Sequence, residues 1–218
     1  AAAARAAAWA PRGAPHGSYG NRSALAGGVQ LRGGLAHMTG LPDRALRVGS
    51  SANDIMGGMF AAIGILAALR ERETTGRGKL VKSALFENTA FLVAQHMAQY
   101  AITGEAPPPM SVKRPAWGVY DIFETSDLGE GDARLFVGVV TDTQWEVFCR
   151  EFGLADLAAN AELRTNGERV KHRSWLISLI GELFKGWTRQ DLGAQLGAIG
   201  LPSAPPNRPW DISHAPPP

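Results

Sequence analysis

The sequence predicts an α/β protein in two parts, and three observations carry that prediction. Helical, extended and again helical patterns succeed one another up to about residue 104, the rhythm of a layered α/β domain. Pro107, Pro108 and Pro109 then interrupt the chain, because consecutive prolines forbid helix and interior strand alike. Beyond them, two β-rich runs precede a series of helix starts, which predicts a smaller α+β domain.

The chain opens with AAAARAAAWAPRGAPHG, a weak helix former cut by Pro11 and Pro15. Residues 1–18 are therefore expected to be poorly ordered. They carry neither an initiating methionine nor the apolar core and cleavage pattern of a secretory signal, so the chain reads as a fragment. From Ser23 to Thr39 a glycine-rich, weakly helical segment leads into the Gly40-Leu41-Pro42-Asp43 turn. The next stretch, Gly49 to Leu69, holds a single carboxylate, Asp54, at the start of an otherwise uncharged helix. Ser51-Ala52-Asn53-Asp54 fits a capping box. Ile55 to Leu69 is fifteen uncharged residues, shorter than the ~20 of a membrane span, and is expected to be a buried core helix. After the Thr75-Gly76-Arg77-Gly78 turn, Lys79 to Phe86 reads as a short strand and Glu87 to Ala101 as a helix ending near Gly104. The Gly76-Arg77-Gly78-Lys79 turn lacks the full phosphate-loop pattern and precedes a strand pattern, so it reads as structural.

In the second part, Val119 to Thr125 and Arg134 to Val140 predict a hairpin across the Asp127 to Asp132 turn. Three helix starts follow with capping-box spacing: Thr141 with Gln144, Thr165 with Glu168, and Thr188 with Asp191. The second carries Leu176, Leu179, Ile180, Leu183, Phe184 and Trp187 as an apolar stripe that packs on a core. In WEVFCREF, Trp145, Phe148, Cys149 and Phe152 share a face, which predicts a buried structural thiol.

Composition narrows the function. The 218 residues are 45% hydrophobic with a net charge of +2, enough for a globular core and too balanced for a nucleic-acid stripe or an acidic membrane surface. One cysteine excludes an internal disulfide framework and agrees with a cytoplasmic location. The histidines are scattered without metal-ligand spacing, so no metal is expected. Neither a nucleophile elbow nor a dinucleotide fingerprint occurs.

Asp54 is the candidate catalytic residue. Gly57, Gly58 and Gly64 each weaken a helix interior by roughly 1 kcal/mol, which asks for close packing or close approach of a ligand. Gly57 and Gly58 are therefore candidate substrate-binding positions, and His37 could line the same site. The opposing reading makes Asp54 a helix cap and His37 an ordinary surface or packing residue.

A resemblance covers about residues 19 to 208. Gly34-Leu35 with Thr39-Gly40, Arg47-Val48-Gly49, Asp54 with Gly58, Ala62-Ile63-Gly64-Ile65-Leu66-Ala67-Ala68-Leu69 and Thr75-Gly76-Arg77-Gly78 resemble the family III CoA-transferases. Gln144-Trp145, Phe148-Cys149, Gly153, Arg169, Arg173, Gly200-Leu201-Pro202 and Ala204-Pro205 continue that order and spacing, and the Asp54 to Gly78 portion is the specific part.

The resemblance implies a Rossmann-like large α/β domain, a smaller α+β domain and an interlocked homodimer. Residues 19–105 would be part of the large domain, 106–200 the small domain, and 201–218 a truncated return segment. The family's nucleophile falls on Asp54. Acyl-CoA and a small carboxylic acid would be the substrates, with coenzyme A arriving as acyl-CoA and no permanently bound cofactor. Two alternatives stand beside transfer. The α-methylacyl-CoA racemases of the same family move an α-proton with a histidine, for which Ser23 to Gly28 offers no counterpart; Asp142 could stand near their additional acid. The other alternative is an inactive structural fragment lacking the family's opening segment and C-terminal end.

Overall fold

The computed structural model describes residues 25–112, 116–127 and 133–214. The expected disordered stretch 1–18 and most of the Asp127 to Asp132 turn lie outside the described residues. The chain divides into two compact units, residues 1–114 and 115–218.

The described part of the first unit is built from helices α1 (Ala26–Arg32), α2 (Leu35–Thr39), α3 (Ala52–Thr75) and α4 (Leu85–Thr103). α1 and α2 pack on each other and on α4, and α3 packs on α4. Gly76 and Gly104 end α3 and α4 in the left-handed region, at φ +65° and +72°, where glycine carries no Cβ penalty. Both ends agree with the turns read from the sequence. Leu46 N–H donates to Ala36 O, and Met110 N–H donates to Met38 O, so the loops on either side of α3 and α4 are tied back to α2.

Two expectations fail here. Lys79 to Phe86 forms no strand: Val81 is a single bridge residue, the backbone around it is extended, and Leu85 already begins α4. An extended segment becomes a strand only with a neighbour to share its ladder, and no strand of this unit is present among the described residues. The helix expected to be buried is also largely exposed. Asn53 and Ala61 are its only buried side chains, while Ile55, Met59, Ile63 and Leu66 stay exposed. Among the described residues its neighbours cover one stripe and leave the opposite side open. By length and hydropathy α3 passes the test of a membrane-crossing helix, which a core helix of a soluble protein passes too.

The second unit places an antiparallel sheet, β1 (Val119–Glu124), β2 (Arg134–Val139) and β3 (Ser203–Ala204), against helices α5 (Asp142–Glu151), α6 (Ala155–Ala159), α7 (Asn166–Lys171), α8 (Arg173–Phe184) and α9 (Arg189–Ala198). The expected hairpin is present, with Val119 opposite Val139 and Glu124 opposite Arg134. Alternation sends Val119, Phe123, Leu135, Val137 and Val139 into a core with Trp145, Phe148, Leu176, Ile180 and Phe184. β3 adds to β2 through Phe136 opposite Ala204 and Val137 opposite Ser203.

Two of the three helix starts close complete capping boxes, at Thr141 with Gln144 and Thr165 with Glu168. At Thr188 the hydroxyl oxygen accepts from the Asp191 N–H and the hydroxyl donates to the Asp191 carboxylate. The helix expected to begin at Thr165 and run through the apolar stripe is interrupted at His172, with φ −96° and ψ 7°. The break separates Arg169, which turns inward, from Arg173, which reaches Gly118 O and Asp121. Cys149 is buried, and burial pushes its thiol up to about 12, in keeping with a structural role.

Arg169 is fully buried beneath this core. Its Nη1 donates to Leu163 O at 2.8 Å and Arg164 O at 2.9 Å, its Nη2 donates to Asp142 at 2.5 Å, and its guanidinium lies 5.2 Å from the Trp145 ring centroid. A Cβ at Gly118 would come within 2.4 Å of the Arg169 Cβ, so only glycine fits there. Arg169→Ala should cost about 3 kcal/mol of stability, from carbonyls left without donors and a cavity beside Trp145; urea unfolding measures it. The Arg169 guanidinium hydrogen-bonded to Asp142 holds that carboxyl below the usual 3.8. A depressed folded value contributes stability above the unfolded pKa that is lost as pH falls through the folded one. Acid titration of the urea midpoint should therefore show a decline that Asp142→Asn makes shallower.

Candidate functional site

Asp54 lies in the first turn of α3. It is exposed, and among the described residues its carboxylate makes no hydrogen bond or ion pair. Solvent and solutes can reach it. The capping box expected over Ser51 to Asp54 is not formed: Ser51 occupies the N-cap position at φ −77°, ψ 49° and makes no side-chain cap bond. Its backbone leaves the extended region from which an N-cap oxygen turns toward the helix amides. Ile55 N–H is the first to bond within the helix, to Ser51 O at 3.0 Å. The amides of residues 52–54 thus have no intrahelical acceptor, and the positive end of the helix dipole lies beside Asp54.

What anchors this turn is Asn53, the neighbour of Asp54. Asn53 is fully buried, donating from Nδ2 to Thr89 Oγ1 and, at 3.5 Å, to Leu85 O on α4. Thr89 Oγ1 donates in turn to Leu85 O at 2.9 Å. One turn later Ser83 Oγ donates to Gly57 O at 3.0 Å. Asn53 Oδ1 and Asn88 Nδ2 are buried without hydrogen-bond partners among the described residues. A buried hydrogen bond contributes about 1 kcal/mol net, whereas an unpaired buried amide group costs about 1–3 kcal/mol. The cluster therefore adds little to stability.

The three glycines separate into different roles. A Cβ on Gly57 would stand 3.3 Å from both Asn88 Nδ2 and Leu85 Cδ2, and one on Gly64 would stand 2.7 Å from Val81 Cγ1. Packing against the neighbouring segment accounts for both. Gly58 has no atom within 4 Å of its Cβ position, so its backbone borders open space. His37 is exposed on α2, and no hydrogen bond or ion pair joins it to Asp54. No group of three or more potential metal ligands occurs among the described residues.

Asn53, Asn88 and Thr89 were not singled out from the sequence. The available signal was polar residues at the starts of two apolar helices, which reads equally well as capping until tertiary contacts are known.

A family model described as CoA-transferase family III matches residues 8–217. Succinyl-CoA:mesaconate CoA-transferase of Haloarcula marismortui is 30% identical over 191 residues, covering 86% of this chain and 46% of the relative. Succinate–glutarate CoA-transferase of Agrobacterium fabrum is 26% identical, covering 82% and 44%. The crystal structure of a CAIB/BAIF family protein from Brucella suis is similar with a TM-score of 0.73 and 30% identity, over 93% of this chain and 52% of that one. The chain spans about half the length of the curated relatives it matches.

Proposed function

The chain belongs to CoA-transferase family III, and from that premise we propose that it transfers coenzyme A from an acyl-CoA to a free carboxylic acid, with Asp54 as nucleophile. The observation that carries this reading is an exposed carboxylate with no partner among the described residues, at a helix start whose first amides lack intrahelical acceptors.

A carboxylate suits the task because acyl anhydrides and thioesters are comparably activated, so the acyl group exchanges without another energy source. Asp54 attacks the thioester carbonyl, the C–S bond breaks, and coenzyme A leaves as thiolate, producing a mixed anhydride. The thiolate then attacks the Asp54 carbonyl carbon, expelling the donor acid as carboxylate and leaving an aspartyl-CoA thioester. The acceptor carboxylate attacks that thioester, breaking its C–S bond to give a second mixed anhydride and free thiolate, and the thiolate attacks the acceptor acyl carbon, forming the new acyl-CoA and expelling Asp54 as carboxylate. Each tetrahedral intermediate carries an oxyanion, for which the amides at the start of α3 are candidate donors. The open backbone at Gly58 is the place for the thioester to approach, with Gly57 holding the helix against α4. His37 is assigned a lining role.

The relatives reported above carry transferase names, which favours transfer over the α-proton chemistry of the racemases. Two of them name succinyl or succinate and a second dicarboxylic acid, so succinyl-CoA with a dicarboxylate acceptor is the first pair to assay. We further propose a cytoplasmic enzyme with a Rossmann-like large domain and an interlocked homodimer, in which the exposed Ile55, Met59, Ile63 and Leu66 would find cover.

Asp54→Asn should lower transfer by about a thousandfold or more, measured as new acyl-CoA by chromatography. Mass spectrometry of the intact protein after exposure to succinyl-CoA should find acyl or CoA mass on the peptide bearing Asp54. Full activity in the variant would leave Asp54 without a covalent role.

A further inference from the structure

We propose that Asn53, acting through Thr89, is a positioning residue that sets the direction of the Asp54 carboxylate; this rests on Asp54 being the nucleophile. The two residues are consecutive in one turn, and they divide its surroundings: Asn53 is fully buried against α4, and Asp54 is exposed. Ser51 supplies no side-chain cap, so the rotational setting of the turn is held by the Asn53 bonds to Thr89 Oγ1 and Leu85 O, together with Ser83 on Gly57 O. An apolar side chain at position 53 would leave no unpaired Oδ1 there, and it would also make no bond to Thr89 Oγ1 or Leu85 O. The retained cost of Asn53 Oδ1 and Asn88 Nδ2 is what a contact selected for one orientation over its neighbours carries. Attack on a thioester needs that orientation, because a misplacement of about 1 Å lowers such rates on the order of a hundredfold.

Thr89 makes the proposal separable from folding. Thr89→Val keeps shape and removes the hydroxyl that Asn53 bonds; Thr89→Ser keeps the hydroxyl and removes a methyl. Asn53→Leu removes the amide. With the intact protein, succinyl-CoA and a dicarboxylate acceptor, Thr89→Val and Asn53→Leu should each lower kcat about tenfold to a hundredfold. KM for succinyl-CoA should stay within about threefold of wild type, the pattern of an interaction realised in the transition state. Thr89→Ser should retain kcat, and the Asn53→Leu/Thr89→Val pair should be no worse than the more damaged single variant, since both break one contact. Unchanged kcat in Thr89→Val and Asn53→Leu, or an equal loss in Thr89→Ser, overturns the positioning role while a CoA-derived mass on the Asp54 peptide of the wild type upholds the nucleophile. Absence of that mass in the active wild type overturns the nucleophile and the positioning role together.

Discussion

The seam between the start of α3 and the start of α4 is the contact on which the candidate site depends. Along it, Asn53 reaches Thr89 and Leu85 O, Gly57 admits Leu85 and Asn88, and Gly64 admits Val81. These positions recur on one side of α3 because residues four and seven apart share a helix face. Bare glycine backbone lets the neighbouring segment approach closely, and a polar pair at one end selects a single register for that approach. Asp54, one residue beyond Asn53, is left on the open side. Its exposure is thus a consequence of how its neighbour is buried.

The second unit uses a buried polar group in a comparable way. Arg169 satisfies the carbonyls of Leu163 and Arg164, pairs with Asp142 and stacks on Trp145, so one side chain ties α7 to the start of α5. Asp142 is committed to this pairing and to the Asn166 N–H, which gives it a structural task in place of the acid role entertained for a racemase. The two units share a design in which polar contacts determine arrangement while apolar side chains supply most of the burial.

Features encoded over three or four residues were legible in advance. The boxes at Thr141 and Thr165 formed because Thr and a partner three residues on need only local backbone to meet. The hairpin was legible from the two β-rich runs on either side of the Asp127 to Asp132 turn, and Leu135, Val137 and Val139 share its core face. Features that need a distant partner were not legible. Lys79 to Phe86 has strand composition and lacks a ladder, β3 exists only because β2 offers Phe136 and Val137, and the interruption at His172 accompanies Arg169 pairing with the Asp142 carboxylate and Arg173 reaching Gly118 O, both far away in sequence. Around the site, Asp54 was readable as the one carboxylate between Gly49 and Leu69. Asn53 was not, since its meaning comes from Thr89, 36 residues on. The Ser51 pattern misled for the converse reason: the residues suit a cap, and the backbone at ψ 49° does not.

Borohydride trapping tests the central claim most directly. A carboxyl thioester is reduced to the alcohol with release of coenzyme A, whereas a free carboxylate is untouched. After the intact protein is incubated with succinyl-CoA and reduced, peptide sequencing should find homoserine in place of aspartate at position 54, and only when the acyl-CoA was present. An unaltered Asp54 in turnover-competent enzyme, or a reduced carboxyl at a different residue, would contradict the account.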